Sequence, residues 1–292
     1  MNDLKLSPIV AGAWRLSEWQ LDVPQRLAWI EGCIARGLTS FDHADIYGGY
    51  EVEALFGEAL AAAPGLRERM QLVSKCGIKL STPNRPSHAI KSYDSSAAHV
   101  RASVEASLKA LHTDRLDLLL IHRPDLLLNA DELARCFEQL RSEGKVLNFG
   151  VSNFTASQFA LLNSRFPLLT NQLECSPLHL DPLDDGSFDQ LQQLRLRPMI
   201  WSPLAGGRLF TGTDERSLAV RAVLADMRER LGGASATTLA LAWLLRLPCQ
   251  PIPVIGSHRL EAADEAMAAT KLELSAEDWY RIWMAGAGRE VA

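Results

Sequence analysis

Short apolar runs alternate along the chain with longer stretches in which apolar residues recur every three or four positions. Runs of branched residues bounded by polar residues, glycine or proline are typical of strands that are buried on both faces of a parallel sheet. The longer periodic stretches predict amphipathic helices. Residues 116–121 form one such run. His122 follows it directly, and a proline stands at position 124.

Eight of the short runs predict strands, at residues 8–16, 39–45, 69–77, 116–122, 146–153, 169–175, 198–204 and 251–256. Helical periodicity lies between and after them, at residues 24–37, 51–63, 96–111, 130–143, 155–164, 187–194, 217–231, 237–247, 259–269 and 275–285. Neither a linker nor a change of composition interrupts the 292 residues. Since α/β barrels of this size commonly form one domain, the pattern predicts an α/β fold, a (β/α)₈ TIM barrel over residues 1–292 with an extra C-terminal helix.

A doubly wound open sheet is the alternative that the same alternation allows. Such sheets usually carry a glycine-rich turn with G-x-G-x-x-G spacing after the first strand. The corresponding residues, 11–15, read Ala-Gly-Ala-Trp-Arg and lack that spacing. This difference and the chain length favour the closed barrel. The polar stretch 81–96, which contains two prolines, is predicted to be a loop over one barrel end.

Composition and charge narrow the range of functions. Hydrophobic residues make up 47% of the chain and charged residues 22%, as in ordinary soluble globular proteins. The formal net charge of -5 favours neither nucleic acid nor an anionic membrane as a partner. The five cysteines form no C-x-x-C pair, so neither a disulfide framework nor a metal site is predicted. We therefore expect a cytoplasmic protein without an export signal or a membrane span.

Ionisable residues stand at the ends of three consecutive predicted strands. Asp42 ends the second strand, Lys75 the third and His122 the fourth. In (β/α)₈ barrels the functional groups gather at the carboxyl ends of the strands, so we expect these side chains at one opening. A buried aspartate and a buried lysine on neighbouring strands can neutralise each other, and that pair taken alone is also compatible with a purely structural role.

A tyrosine is predicted to reach the same opening. Tyr47 lies shortly after Asp42 and is followed by two glycines, which allow a sharp turn of the loop. A phenol has a pKa of about 10 in water, so acid–base chemistry near neutral pH needs a cation that stabilises the phenolate. Lys75 can supply that cation, and His122 can donate a hydrogen bond to a carbonyl oxygen.

Four separated motifs carry a resemblance to a known family. They read Asp-His-Ala-Asp-Ile-Tyr-Gly at residues 42–48, Ser-Lys at 74–75, Ile-His-Arg-Pro at 121–124 and Gly-Val-Ser-Asn-Phe at 150–154. In order and in spacing, over essentially the whole chain, they resemble the aldo-keto reductase family. The resemblance implies a (β/α)₈ barrel that binds a nicotinamide cofactor without a Rossmann domain. It also implies a catalytic tetrad of Asp42, Tyr47, Lys75 and His122, in which Tyr47 is the general acid.

The resemblance further implies a cofactor track along the later strand ends. The residues that it assigns to cofactor binding are Ser152, Asn153, Gln172, Trp201, Ser202, Pro203, Leu204, Gly206, Arg208, Gly256, Ser257, Arg259 and Glu265. Trp201 offers an aromatic face for the nicotinamide. Arg259 and Ser257 stand at a predicted helix N-terminus, where they can bind a ribose 2′-phosphate, so we expect NADP rather than NAD. Trp14, at the end of the first run, is predicted to line the substrate mouth.

Three positions depart from the family pattern. His43 replaces a residue that is usually small, His258 stands where a basic residue, often lysine, is usual, and Ala266 stands where asparagine is usual. The last two departures imply looser contacts with the adenine end of the cofactor.

These observations predict an NADP-dependent oxidoreductase that reduces a small aldehyde or ketone to an alcohol by hydride transfer. Two other classes of protein are compatible with the same fold. A cofactor-sensing accessory protein of the same fold would bind nucleotide and a protein partner with little turnover, and the complete tetrad argues against it. A non-redox barrel hydrolase ranks last, because the sequence offers no metal-ligand cluster and no nucleophile elbow.

Overall fold

The structure, a computed structural model, describes residues 4–292, and residues 1–3 of the predicted domain lie outside that range. Its strands are β1 (Val10–Gly12), β2 (Ser40–Asp42), β3 (Gln71–Cys76), β4 (Ile78–Lys79), β5 (Ser92–Tyr93), β6 (Leu118–Ile121), β7 (Phe149–Ser152), β8 (Asn171–Glu174), β9 (Met199–Trp201) and β10 (Ile252–Ile255). Eight of them form a closed barrel in the order β1-β10-β9-β8-β7-β6-β3-β2. The pairs within the barrel are parallel. The predicted (β/α)₈ barrel is therefore confirmed.

Helices surround the barrel and complete the alternation. They are α1 (Val23–Ala35), α2 (Val52–Ala62), α3 (Ala97–Ala110), α4 (Ala130–Ser142), α5 (Ala156–Asn163), α6 (Ser187–Gln193), α7 (Arg208–Thr211), α8 (Glu215–Arg230), α9 (Ala236–Leu245), α10 (Leu260–Ala269) and α11 (Ala276–Ala287). The extra C-terminal helix, α11, packs beside α8 and α9, where the Trp243 and Trp279 rings stack with centroids 5.2 Å apart. Among residues 4–292, no helix combines the length and apolarity needed to cross a membrane.

One segment differs from its prediction. The stretch predicted as a loop between the third strand and the next helix contains β5, which pairs with β4 as an antiparallel hairpin outside the barrel. Asn84 tethers this hairpin, because its side-chain amide donates to the Gly49 carbonyl oxygen at 2.9 Å. The prolines and serines that indicated a loop occupy the turn of the hairpin, and a two-residue strand is too short to produce a recognisable alternation.

A close contact between α2 and α3 depends on a glycine. A Cβ built on Gly57 would lie 1.9 Å from the carbonyl oxygen of Ala110, which is backbone and cannot rotate away. We expect Gly57→Ala to lower the free energy of unfolding by about 1–3 kcal/mol, as overpacked cores do. Urea unfolding would measure it, with Gly65→Ala as the matched control, because nothing lies within 4 Å of that position. Equal stability of the two variants would contradict this packing.

Candidate active site

Alternation along the barrel strands directs Lys75 and His122 into the barrel mouth. Val73, Leu118 and Leu120 pack together inside the barrel. Side chains two positions apart on a strand share a face, so Lys75 follows Val73 inward and His122 follows Leu120. The strand register agrees, because Lys75 is the Cα partner of Leu120 on the adjacent strand. The same pattern that fills the barrel therefore presents these side chains at its carboxyl end.

Lys75 is fully buried at the centre of the site, and three oxygens surround its ammonium group. Its Nζ lies 2.6 Å from Asp42 Oδ2, 2.8 Å from the carbonyl oxygen of His43 and 3.0 Å from the Tyr47 hydroxyl. An ammonium has three donors, and each has an acceptor here. Because Tyr47 Oη accepts from Lys75, its own proton is free to be donated elsewhere.

The charges of this cluster define its protonation at neutral pH. Burial disfavours the ammonium form of Lys75, but Asp42 and then Tyr47 outweigh it and raise the lysine pKa. Burial also raises the pKa of the Tyr47 phenol, while Lys75 acts in the opposite direction without reversing the shift. Lys75 is therefore charged, and Tyr47 is a protonated phenol at neutral pH.

His122 lies beside Tyr47 with its ring edge-to-face and the ring centroids 5.9 Å apart. The imidazole is buried, and its Nδ1 has no hydrogen-bond partner within the described chain. Burial, followed by the positive charge of Lys75, holds the His122 pKa well below its usual value of 6.5. A neutral imidazole carries one N–H, so His122 can donate one hydrogen bond to a group that enters the mouth.

Asp42 receives a second contact that the sequence did not indicate. The side-chain amide of Gln172 donates to Asp42 Oδ1 at 2.8 Å, while Lys75 occupies Oδ2. Both carboxylate oxygens are thus satisfied in a residue that is only 3% exposed. Gln172, which the resemblance assigns to cofactor binding, lines the cavity and also fixes the Asp42 carboxylate that pairs with Lys75.

His43, the unusual residue between Asp42 and Ala44, turns away from the barrel interior. Its carbonyl oxygen accepts from Lys75, and its ring packs edge-on against Phe56 with centroids 4.4 Å apart. Burial, and then Lys75, lowers the His43 pKa to about 3, so the ring is neutral. Within the described chain neither ring nitrogen has a hydrogen-bond partner. The histidine ring therefore acts as a packing group behind the site.

A cavity of about 740 Å³ opens at this end of the barrel. Its volume lies in the range typical of small-molecule and cofactor sites. The structure brings most of the predicted site residues to its lining: Trp14, Asp42, Tyr47, His122, Ser152, Asn153, Gln172, Trp201, Ser202, Pro203, Leu204, Gly206, Gly256, Ser257 and Arg259. Lys75 lies directly beneath, in contact with Asp42 and Tyr47.

Two predicted cofactor residues are not brought to the cavity lining. The Arg208 guanidinium lies 3.9 Å from an Asp214 carboxylate oxygen, at the start of α7. Glu265 lies on α10, where its carbonyl oxygen accepts from the Thr238 hydroxyl at 3.0 Å. Neither side chain has a described contact with the tetrad, and their assignment to cofactor binding stays a prediction.

The cavity also contains charged and aromatic residues to which the sequence assigned no role. Arg123, Lys91, Tyr93 and Phe210 line it. Arg123 follows His122 in the Ile-His-Arg-Pro motif, and its place directly after a strand end predicts a position near the mouth. Lys91 and Tyr93 could be placed only with the β4–β5 hairpin, which brings them to the mouth.

Comparison with known proteins settles the family. The model of the Aldo/keto reductase family matches residues 8–285. The chain belongs to the aldo-keto reductase family. It is 50% identical over 289 residues to Oxidoreductase YdhF of Escherichia coli, covering 98% of this chain and 96% of that protein. It is 43% identical over 297 residues to the 6-dehydroglucose reductase of Agrobacterium fabrum, covering 100% and 98%.

A solved aldo-keto reductase has the same architecture. The aldo/keto reductase of Klebsiella pneumoniae, determined in complex with NADP and acetate, superposes with a TM-score of 0.77 at 28% identity. The match covers 95% of this chain and 90% of that one. The resemblance in the four sequence motifs is thus confirmed at the level of the family and its barrel.

Proposed function

We propose that this aldo-keto reductase reduces an aldehyde or ketone to an alcohol with NADPH, and that Tyr47 protonates the substrate oxygen. The observation that carries the proposal is the contact of Tyr47 Oη with the buried ammonium of Lys75, at 3.0 Å, at the floor of a cofactor-sized cavity. Membership of a reductase family and relatives named as oxidoreductases support it.

The tetrad residues have distinct tasks in this proposal. His122 donates a hydrogen bond to the carbonyl oxygen and orients it toward Tyr47. Tyr47 then passes its proton to that oxygen, and the phenolate that remains is stabilised by Lys75, which Asp42 keeps in place. A bound reduced nicotinamide supplies the hydride that the carbonyl carbon accepts. Oxidation of an alcohol follows the same path in reverse.

The later strand ends fit a nicotinamide cofactor. A chain of hydrogen bonds fixes the Trp201 ring: its Nε1 donates to Asn153 Oδ1 at 3.0 Å, and Asn153 Nδ2 donates to Ser152 Oγ at 2.7 Å. An aromatic platform with fixed amide and hydroxyl groups beside it suits nicotinamide and its carboxamide. Gly206 and Gly256 face open space, because no atom lies within 4 Å of a Cβ built on either. A phosphate chain can approach the backbone there.

The first measurement is NADPH oxidation with a panel of small aldehydes and ketones. The panel includes 6-dehydroglucose, because the Agrobacterium fabrum relative is named for it. We expect turnover with several members. Tight NADPH binding without turnover on any of them would instead favour the accessory, cofactor-sensing alternative.

The exposed residue Arg259 is proposed to select NADPH. It precedes α10, whose N-terminus has no side-chain cap, so its amides and the arginine can face a 2′-phosphate together. We expect Arg259→Gln to lower kcat/KM for NADPH by about tenfold while changing that for NADH little. Arg69→Gln, at an exposed site away from the cavity, is the control. An unchanged ratio of the two cofactors would remove Arg259 from this role.

The pH dependence of reduction follows from the two shifted groups. His122 is already neutral, because its pKa lies well below 6.5, so it contributes no step near neutrality. The Tyr47 pKa is raised above 10.0, and the acid is lost only as pH rises through that pKa. We expect kcat for reduction at saturating cofactor to be flat from about pH 6 to about pH 9 and to fall above about pH 10. Loss of activity centred near pH 6.5 would assign a charged histidine to the reaction instead.

A further inference from the structure

Arg123 brings to the cavity mouth a positive charge that carbonyl reduction itself does not use. It follows His122 directly, is half-buried, and lines the cavity. Its guanidinium carbon lies 5.7 Å from the centre of the Trp201 ring, a cation–π contact that holds the side chain across the mouth. Within residues 4–292, no carboxylate oxygen comes within 4.0 Å of this guanidinium, so its charge is unpaired.

Lys91 adds a second positive charge from the β4–β5 hairpin. It stands immediately before β5 and lines the same cavity from an exposed position. Among the described residues it also lacks a carboxylate partner within 4.0 Å, whereas the neighbouring Lys79 lies 3.8 Å from Asp94. The hairpin therefore directs its unpaired lysine to the mouth and pairs the other one.

Hydrogen bonds fix the hairpin against the segment that follows β6. Asp125 Oδ2 accepts from both the backbone N–H and the hydroxyl of Ser95, each at 2.9 Å. Asp125 Oδ1 accepts from the backbone N–H of Leu127 at 2.9 Å. Both carboxylate oxygens of Asp125, the acidic residue nearest to Arg123 in sequence, are thus already hydrogen-bonded. The bonds to Ser95 join the two segments that carry Arg123 and Lys91.

The charges that act on His122 agree with the presence of two unpaired cations at this end of the cavity. After burial, the charges that lower the His122 pKa are Lys75, Arg123 and Lys91, all positive. Lys75 is neutralised by Asp42 at 2.6 Å, which leaves the other two uncompensated. Glu18, another acidic residue in the lining, belongs to the segment after β1 and is not among the groups that act on His122.

We propose that Arg123 and Lys91 form a subsite for an anionic substituent of the substrate. The preferred substrates are then aldehydes or ketones that carry a carboxylate or phosphate group near the carbonyl. The inference rests on the proposed reductase function and deepens it. A guanidinium offers a planar fork of donors to either kind of anion, and an ammonium adds a second charge. A carbonyl held by His122 lies next to Arg123, so one small molecule can reach both groups.

Matched substrate pairs test the subsite. Succinate semialdehyde is compared with its methyl ester, and glyceraldehyde 3-phosphate with glyceraldehyde, at saturating NADPH. The quantity is the ratio of kcat/KM for the anionic member to that for the neutral member. We expect a wild-type ratio on the order of ten for at least one pair, and the responding pair identifies the kind of anion.

Variants assign the effect to the two cations. Arg123→Gln is expected to lower the ratio by about tenfold. Lys91→Gln is expected to lower it by about threefold and less at high salt, because Lys91 is exposed and its charge is screened. Arg228→Gln, on the exposed side of α8 and away from the cavity, is the matched control and keeps the wild-type ratio.

The outcomes separate this inference from the proposed function. A wild-type ratio at or below one for both pairs, or a ratio that neither variant changes, overturns the subsite while turnover of the neutral aldehydes preserves the reductase. Weaker NADPH binding by Arg123→Gln with an unchanged ratio assigns Arg123 to the cofactor and also overturns it. If Arg123→Gln does not fold, the exposed Lys91→Gln variant decides. No turnover of any pair member while the wider carbonyl panel is reduced overturns the subsite, and no turnover of either set overturns the reductase function itself.

Discussion

Replacing Tyr47 by phenylalanine should lower kcat for carbonyl reduction by about 10²- to 10⁴-fold while NADPH binding is retained. The substitution removes only the hydroxyl that lies 3.0 Å from Lys75 Nζ. Loss of a positioned general acid typically costs a rate factor of this size. Lys75 keeps Asp42 and the His43 carbonyl oxygen as acceptors, so the buried ammonium remains paired and the fold is preserved. Steady-state NADPH oxidation and NADPH fluorescence quenching would measure the two quantities.

Tyr50→Phe is the matched control for this experiment. Tyr50 belongs to the same loop, and its hydroxyl accepts from the Leu80 backbone N–H at 2.9 Å, but it does not line the cavity. We expect Tyr50→Phe to change kcat by less than about threefold. Wild-type turnover in the Tyr47 variant would mean that another group protonates the substrate.

Much of the barrel was predictable because its strands are buried on both faces. Apart from Asp117, the run that precedes His122 consists of branched apolar residues, since one side faces the barrel interior and the other faces helices. The ends of such runs are the places where polar side chains can reach the mouth, so Asp42, Lys75 and His122 could be grouped before their contacts were known.

Contacts between distant segments were not predictable. The hydrogen bond from Gln172 to Asp42 joins residues that are 130 positions apart, and no local pattern signals it. The β4–β5 hairpin was not predicted, because each of its strands has only two residues and is too short to show an alternation of apolar and polar positions. The direction of the Tyr47 pKa shift was not predictable either. Lys75 lowers this pKa, as expected, but burial raises it by more. Burial depends on the closed barrel and cannot be obtained from spacing.

Replacing Lys75 by methionine should destabilise the fold as well as abolish turnover. The variant leaves the Asp42 carboxylate 3% exposed with only Gln172 as a partner. Removing one member of a buried ion pair typically lowers the free energy of unfolding by about 3–5 kcal/mol, because the remaining charge is uncompensated. Urea unfolding at neutral pH would measure the loss.

The double variant Asp42→Asn/Lys75→Met distinguishes lost charge compensation from lost packing. It removes both charges at nearly constant volume, so we expect it to recover at least half of the stability lost in the single variant, while turnover stays low. A single variant within about 1 kcal/mol of the wild type would contradict the buried pair. A double variant no more stable than the single would instead attribute the loss to packing around the lysine chain.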